Sequence, residues 1–155
     1  MVEIIINFLP GIAAAIIASY LAARWSLRKL YSEKWWERKE KAYSDIISSI
    51  YDIMQYCEYQ SEHYEVGREL PENRENEIET KYGEAYWKLK KVTDIGGFVI
   101  SKDAATVLRD LKKRPRLNWN ENPPWEIYDQ DFKYHKEALE KIVAIANKDL
   151  KAGKA

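Results

Sequence analysis

The residues whose types could support chemistry in this chain are two histidines, one cysteine and a short basic run. His63 directly follows Glu62, and His135 follows Asp131 by one helical turn. Each pair offers two metal ligands, whereas a catalytic zinc site normally takes three protein ligands. Neither histidine has Glu three positions earlier, as the Glu-x-x-His motif of di-iron bundles requires. We therefore predict no metal, no cofactor and no enzyme activity.

The single cysteine, Cys57, and His135 both fall on apolar faces of predicted helices. A buried cysteine usually behaves as a small hydrophobic residue, so we expect Cys57 in the core. We expect His135 to be a satisfied core or boundary residue. One cysteine cannot form an intrachain disulfide, which is typical of a domain in a reducing compartment.

A basic run precedes two tryptophans in the second half of the chain. It comprises Lys112, Lys113, Arg114 and Arg116, followed by Trp119 and Trp125. Cations near aromatic rings are typical of single-stranded nucleic-acid sites and equally of loops at a membrane surface. An ordinary solvated loop is the third interpretation. The chain balances 25 basic residues against 25 acidic residues, so its net charge does not favour a nucleic-acid partner.

A long apolar segment precedes all of these residues. Residues 4–23 contain no charged side chain, and at about 1.5 Å per residue they match the roughly 30 Å hydrocarbon core of a bilayer. A signal peptide carries its positive charges before the apolar core, whereas here the basic flank follows it. We predict a retained transmembrane anchor over residues 1–24 and a cytosolic helical bundle over residues 25–155. A buried core helix is the alternative.

Basic and aromatic residues cluster just after the apolar segment. They are Arg24, Trp25, Arg28, Lys29, Trp35 and Trp36. Positive residues mark the cytoplasmic end of a span, and amphipathic rings favour the headgroup layer. We therefore expect a single-pass protein of a bacterial inner membrane, with its N-terminus outside and its body in the cytosol.

Small residues repeat along the apolar segment. Gly11, Ala15 and Ser19 recur every four positions, beside a second stripe of Ala14, Ala18 and Ala22. Small residues let transmembrane backbones approach closely, so the pattern predicts a homo-oligomer formed through the span. Asn7 and Ser19 are the polar groups that could face a lumen between several copies. A solvated end residue is the alternative interpretation of Asn7.

Helical periodicity dominates the rest of the chain and predicts an all-α fold. We expect the transmembrane helix to be followed by an antiparallel bundle of three long helices and one short helix. The first apolar stripe contains Tyr43, Ile46, Ile47, Ile50, Ile53, Met54, Cys57 and Tyr64. Its helix either continues from the span or meets it near Ser32, and ends at Gly67. The second helix is predicted to cover about 72–94, and a short third helix follows Ser101 as its N-cap. The final helix is predicted to cover about 124–150, with Asn122 as N-cap.

Charge is distributed unevenly along the chain. Residues 24–41 carry seven basic and three acidic residues, a net charge of +4. Residues 58–79, hereafter the acidic segment, carry eight glutamates and two arginines, a net charge of −6. Because anionic lipids attract basic residues, we expect the basic end at the bilayer and the acidic segment in the cytoplasm. The acidic segment is either a docking surface for a basic protein or an ordinary solvated face.

Three stretches carry a resemblance to known proteins: residues 26–43 (SLRKLYSEKWWERKEKAY), 67–71 (GRELP) and 146–150 (ANKDL). They resemble an uncharacterised family of bacterial single-span, membrane-anchored helical proteins, a likeness that covers nearly the whole chain and implies no activity. In topology and size, the predicted architecture is also similar to that of the membrane accessory proteins of type VI-B CRISPR systems. Those proteins form oligomeric pores with helical, HEPN-like bodies.

A HEPN ribonuclease would need Arg separated from His by four to six residues. The corresponding positions hold Tyr56, Cys57 and Glu58, or Tyr128, Asp129 and Gln130. The departure argues against ribonuclease activity. Our leading hypothesis is a non-enzymatic inner-membrane protein that self-assembles, forms a pore or otherwise perturbs the membrane, and acts in phage defence. The alternative is a passive tether or scaffold for a cytosolic protein partner. A phage-type envelope protein with a periplasmic body is disfavoured by the basic flank.

Overall fold

Four α-helices make up the described part of this chain in a computed structural model. The structure describes residues 2–95 and 98–152, and the side chains of residues 16–94 and 98–151. The helices are α1 (Val2–Val66), α2 (Glu72–Ile95), α3 (Lys102–Lys112) and α4 (Pro124–Ala152). No strand occurs among these residues. The predicted all-α fold, with three long helices and one short helix, is confirmed.

The chain divides into two compact units, Met1–Glu37 and Arg38–Ala155. The first unit is the N-terminal part of α1, which continues through Ser32 without a break. No helix within the described residues is long and apolar enough to cross a membrane. The predicted span includes residues 4–15, whose side chains lie outside the described part of the structure.

The second unit, hereafter the helical unit, holds the rest of α1 and the three other helices. Contacts across it give the helix directions. On α1, Asp45 pairs with Lys88 of α2, whereas Tyr59, farther along α1, bonds to Glu75, nearer the start of α2. The contacts between α1 and α4 show the same reversed order. Tyr43, early in the helical unit, bonds to Asp149 near the end of α4, whereas Ser61, later in α1, bonds to Trp125 at the start of α4. Both α2 and α4 therefore run antiparallel to α1.

The core of the helical unit draws on all four helices. Its fully buried side chains of greatest volume are Tyr43, Ile46, Ile50, Leu108 and Ile142. Burial of a side chain of this size contributes about 1.5–3 kcal/mol relative to leaving it exposed. The predicted α1 stripe is confirmed from Tyr43 to Cys57. Tyr64 is the exception, since half of its side chain is exposed and its ring stacks on Tyr128.

Local signals set most helix ends. Gly67 has a φ of 70° just after α1, and its N–H donates to the His63 carbonyl at 3.0 Å. Glycine adopts this left-handed conformation without a side-chain clash, so the helix ends as predicted. The Ser101 hydroxyl accepts from the Ala104 N–H at 3.3 Å, which confirms Ser101 as the N-cap of α3.

Helix α4 begins at Pro124, as predicted, but its N-cap lies one position after the predicted Asn122. Pro124 is the first helical residue, and the Pro123 carbonyl accepts the first helical hydrogen bonds. Asn122 is therefore not the N-cap, because its side-chain amide donates to the Asn118 carbonyl at 3.0 Å within the preceding loop. A proline is well suited to the first turn, since its missing N–H would have no helical partner there.

Tyr43 joins three segments that are distant in sequence. Its hydroxyl donates to the Asp149 carboxylate near the end of α4 and lies 3.2 Å from the Ser101 Oγ at the start of α3. Lys39 completes the group, with its Nζ 3.6 Å from Asp149. Tyr43 is 1% exposed, whereas the side chains of Lys39 and Asp149 are 22% and 19% exposed, so these polar contacts lie at the edge of the core.

Candidate functional site

A cavity of about 580 Å³ opens in the helical unit. Small-ligand sites in proteins typically enclose about 300–1,000 Å³. The loop between α3 and α4 forms one side of the cavity, and residues of all four helices form the rest. Its lining combines aromatic rings with four cationic residues and a single carboxylate.

Aromatic rings form one part of the cavity surface. Tyr56 of α1 stacks on Tyr82 of α2, with 4.0 Å between ring centroids and 20° between ring planes. Tyr128 of α4 meets Tyr56 edge-on at 5.9 Å and Trp119 of the loop edge-on at 5.6 Å. Burial raises the pKa of Tyr56, Tyr82 and Tyr128 above the ordinary value of 10.0, so these phenols stay protonated even in mildly alkaline solution.

An ion pair braces the cavity between the loop and α4. The Nε and Nη2 atoms of Arg114 donate to the two carboxylate oxygens of Asp131 at 2.8 and 3.0 Å. The Nη1 atom of Arg114 donates to the Leu111 carbonyl at 2.9 Å. This bidentate geometry is the strongest form of a protein ion pair, so Arg114 is held in place.

His135 lines the cavity and is 3% exposed. Burial lowers its pKa from 6.5 to about 4, so the imidazole is neutral at pH 7. Its Nδ1 lies 2.7 Å from the Asp131 carbonyl oxygen, which can only accept, and therefore carries the hydrogen. The Nε2 atom then holds a lone pair. His135 therefore lies in the core, as predicted, with one of its two ring nitrogens hydrogen-bonded.

The cations of the cavity differ in whether another side chain interacts with them. Lys112 pairs with Asp94 of α2, while Lys90 places its Nζ 4.7 Å from the centroid of the neighbouring Trp87 ring. Arg116 is exposed and has no ion-pair partner among the described residues. The predicted basic loop therefore contributes three of its four residues to the cavity, with Lys113 as the one that does not line it.

The remaining chemical candidates lie outside the cavity. His63 places Nδ1 3.0 Å from the Arg68 carbonyl, and Arg68 pairs with Glu62. Cys57 is buried in the core, and its burial raises the pKa of the thiol to about 12. No group of three or more metal-ligating side chains occurs among the described residues.

The membrane-related candidates all lie on α1. Trp25 and Trp35 are 72% and 43% exposed, Trp36 is half-buried, and the Lys29 Nζ lies 3.9 Å from Glu33. Arg24 and Arg28 are exposed, as are the small residues Ala18, Ser19 and Ala22. The side chains of Asn7, Gly11, Ala14 and Ala15 lie outside the described part of the structure.

Several lining residues were not predicted as site residues. Tyr82, Tyr86 and Lys90 recur every four positions on α2 and all line the cavity. Positions four apart lie on one helical face, so this spacing was the sequence signal that could have identified them. Tyr56 and Gln130 carry no comparable signal, because they join the cavity only through the packing of α1 and α4.

No protein-family model matches this chain, and no curated protein and no solved structure is significantly similar to it. The resemblances described for the sequence therefore rest on its own motifs and topology.

Proposed function

We propose that this chain is a non-enzymatic protein of the bacterial inner membrane that self-assembles through its N-terminal segment. In this proposal the helical unit receives a cytosolic partner, and assembly or opening then perturbs the membrane. The observation that carries it is the uncharged segment of residues 4–23 followed directly by basic residues. A setting in phage defence is supported by the resemblance in topology to the type VI-B accessory proteins.

The chemistry of the helical unit supports a binding role over a catalytic one. Cys57 is a poor nucleophile at neutral pH, because burial raises its pKa to about 12 and the thiolate is the reactive form. His135 is a weak base, because burial lowers its pKa to about 4. The Asp131 carboxylate is already occupied by Arg114.

The mass of the full-length protein in mild detergent, with bound detergent subtracted, tests self-assembly. We expect a discrete assembly of several copies that releases a dye from liposomes. Replacing Gly11 and Ala15 with Leu should reduce the assembly to monomers and abolish release, since bulky side chains keep the backbones apart. Ile12→Leu with Ile16→Leu, at the same spacing, is the matched control. A monomeric wild-type protein, or an unchanged Gly11→Leu/Ala15→Leu variant, contradicts the proposal.

A passive tether is the second candidate, and the acidic segment favours it. Five of its glutamates are exposed and have no ion-pair partner among the described residues: Glu58, Glu65, Glu69, Glu72 and Glu79. Such a surface suits a basic protein partner, whose charges would be attracted over about 10 Å at 0.1 M salt.

Two variants separate the tether from the self-assembling protein. Glu65→Lys with Glu69→Lys should weaken partner capture by the full-length protein, whereas Lys34→Glu, away from the acidic segment, should not. Removing residues 1–24 should release the captured partner from the membrane fraction without weakening the capture. Unchanged capture by the Glu65→Lys/Glu69→Lys variant would contradict the tether.

A further inference from the structure

We propose that the cavity of the helical unit binds a small ligand with a planar heteroaromatic ring and a phosphate group, the chemical class of the mononucleotides. This inference goes beyond the proposed function, because it concerns the helical unit by itself. It holds whether or not the protein self-assembles. Three features of the cavity carry it: exposed aromatic rings, uncompensated positive charge and polar groups with unused hydrogen-bonding capacity.

The aromatic rings account for the planar part of the ligand. Tyr86 of α2 and Trp119 of the loop line the cavity with 39% and 56% of their surfaces exposed. The Tyr86 ring lies 6.2 Å from Tyr82, which stacks on Tyr56. The Trp119 ring meets Tyr128, which in turn lies edge-on to Tyr56. Exposed rings grouped in a concave site are the usual means by which proteins stack the bases of nucleic acids and nucleotides.

The charges of the cavity account for the phosphate. Its lining includes Lys90, Lys112, Arg114 and Arg116 but a single acidic residue, Asp131. The Asp131 carboxylate is taken by Arg114, and Lys112 is neutralised by Asp94 from outside the cavity. Lys90 and Arg116 remain without an ion pair among the described residues, so an anion entering the cavity meets two cations that are not paired with a carboxylate.

Two polar groups offer recognition of a ring edge. His135 presents the lone pair of Nε2, because its Nδ1–H is committed to the Asp131 carbonyl. Gln130 lines the same cavity, and its side-chain amide makes no hydrogen bond to another described residue. An amide that can donate and accept, beside an acceptor, is complementary to the mixed edge of a nucleobase. An aliphatic phosphate would leave both groups unpaired.

The test is a binding measurement on the full-length protein in detergent. The probes are adenosine, guanosine, cytidine and uridine 5′-monophosphates. Calorimetry or equilibrium dialysis measures the binding of each probe. Two comparison compounds each lack one part of the ligand: adenosine lacks the phosphate, and ribose 5-phosphate lacks the heteroaromatic ring. We expect at least one mononucleotide to bind about tenfold or more tightly than its nucleoside, the ratio that one charge-assisted hydrogen bond gives. It should also bind more tightly than ribose 5-phosphate.

Two variants and two matched controls assign this binding to the cavity. Arg116→Ala and Tyr86→Leu should each weaken mononucleotide binding about tenfold, from a lost phosphate contact and a lost stacking surface. Both residues are exposed, so the fold tolerates the changes. Lys113→Ala, in the same loop, and Tyr51→Leu, an exposed tyrosine of α1, lie outside the cavity lining and should leave binding unchanged.

Three outcomes would overturn the inference. The first is no binding of any of the four mononucleotides at millimolar concentration. The second is equal binding of ribose 5-phosphate or inorganic phosphate, which would mean that the rings take no part. The third is tight binding of a short single-stranded RNA without binding of the mononucleotides, which would identify a nucleic-acid surface instead. None of these results depends on self-assembly, so the proposed function can fail or succeed separately.

Discussion

Replacing Arg114 with Ala removes the ion pair that connects the loop after α3 to α4. The side chain makes three hydrogen bonds, two to the Asp131 carboxylate and one to the Leu111 carbonyl. The side chains of Arg114 and Asp131 are 11% and 29% exposed. Without Arg114, the carboxylate keeps its charge in a partly desolvated position and the carbonyl loses its donor.

The expected loss of stability follows from this degree of burial. Breaking a fully buried ion pair costs about 3–5 kcal/mol, whereas a fully exposed pair contributes about 0–1 kcal/mol. Asp131 retains enough contact with water to place Arg114→Ala at about 3 kcal/mol, the low end of the buried range. A loss of this size lowers the melting temperature of a chain of this length by about 6–12 °C.

Thermal unfolding of the full-length protein in detergent, followed by far-ultraviolet circular dichroism, measures the effect. Lys133→Ala is the control, because it removes an exposed ion pair to Asp129 on the same helix and should cost almost nothing. The double variant Arg114→Met and Asp131→Leu should recover most of the stability, since no charge is left unpaired. An Arg114→Ala loss no larger than that of Lys133→Ala would refute the reasoning.

Three further predictions concern single buried groups. Lowering the pH from 7 to 5 should cost about 2 kcal/mol through His135, because burial lowers its pKa from 6.5 to about 4 and only the unfolded chain gains the proton. This stability is present above about pH 6.5 and is lost as the pH falls towards 4. His135→Phe should flatten that part of the pH profile of the melting temperature. A His135→Phe profile identical to that of the wild type would contradict this prediction. A thiol reagent should label Cys57 in the folded protein about a thousandfold more slowly than in denaturant, because burial raises its pKa from 9.0 to about 12; equal rates would mean that the thiol is accessible. Tyr43→Phe should cost about 1–3 kcal/mol in denaturant unfolding, because the Asp149 carboxylate loses a donor, whereas the exposed Tyr51→Phe should cost almost nothing.

The helices could be predicted because their boundaries depend on neighbouring residues. Gly67 ends α1 through its own backbone conformation, and Ser101 caps α3 with a hydroxyl three residues from its donor. The N-cap of α4 was placed one residue early, at Asn122, because Pro123 and Pro124 both suit a first turn. Only the loop, in which Asn122 bonds to Asn118, decides between them.

The cavity could be predicted only in part, because its residues meet through packing between helices. Arg114 was predicted in a binding loop, but its guanidinium is committed to Asp131 on another element. The spacing of His135 and Asp131 was visible, yet the imidazole bonds to the backbone carbonyl and not to the carboxylate. Sequence spacing fixes which residues share a helical face, and it does not fix which element covers that face.

The polar group of Tyr43, Ser101, Asp149 and Lys39 joins α1 to α4, so the fold of the helical unit is complete only when α4 is present. Residues 43 and 149 are 106 positions apart, and contacts at such separation form late because a long loop must close first. While the chain is being synthesised, the apolar face of α1 that carries Ile46 and Ile50 lacks the part of its cover that α4 supplies. Newly made chains that stop short of Asp149 should therefore expose this face and be favoured targets of chaperones and proteases.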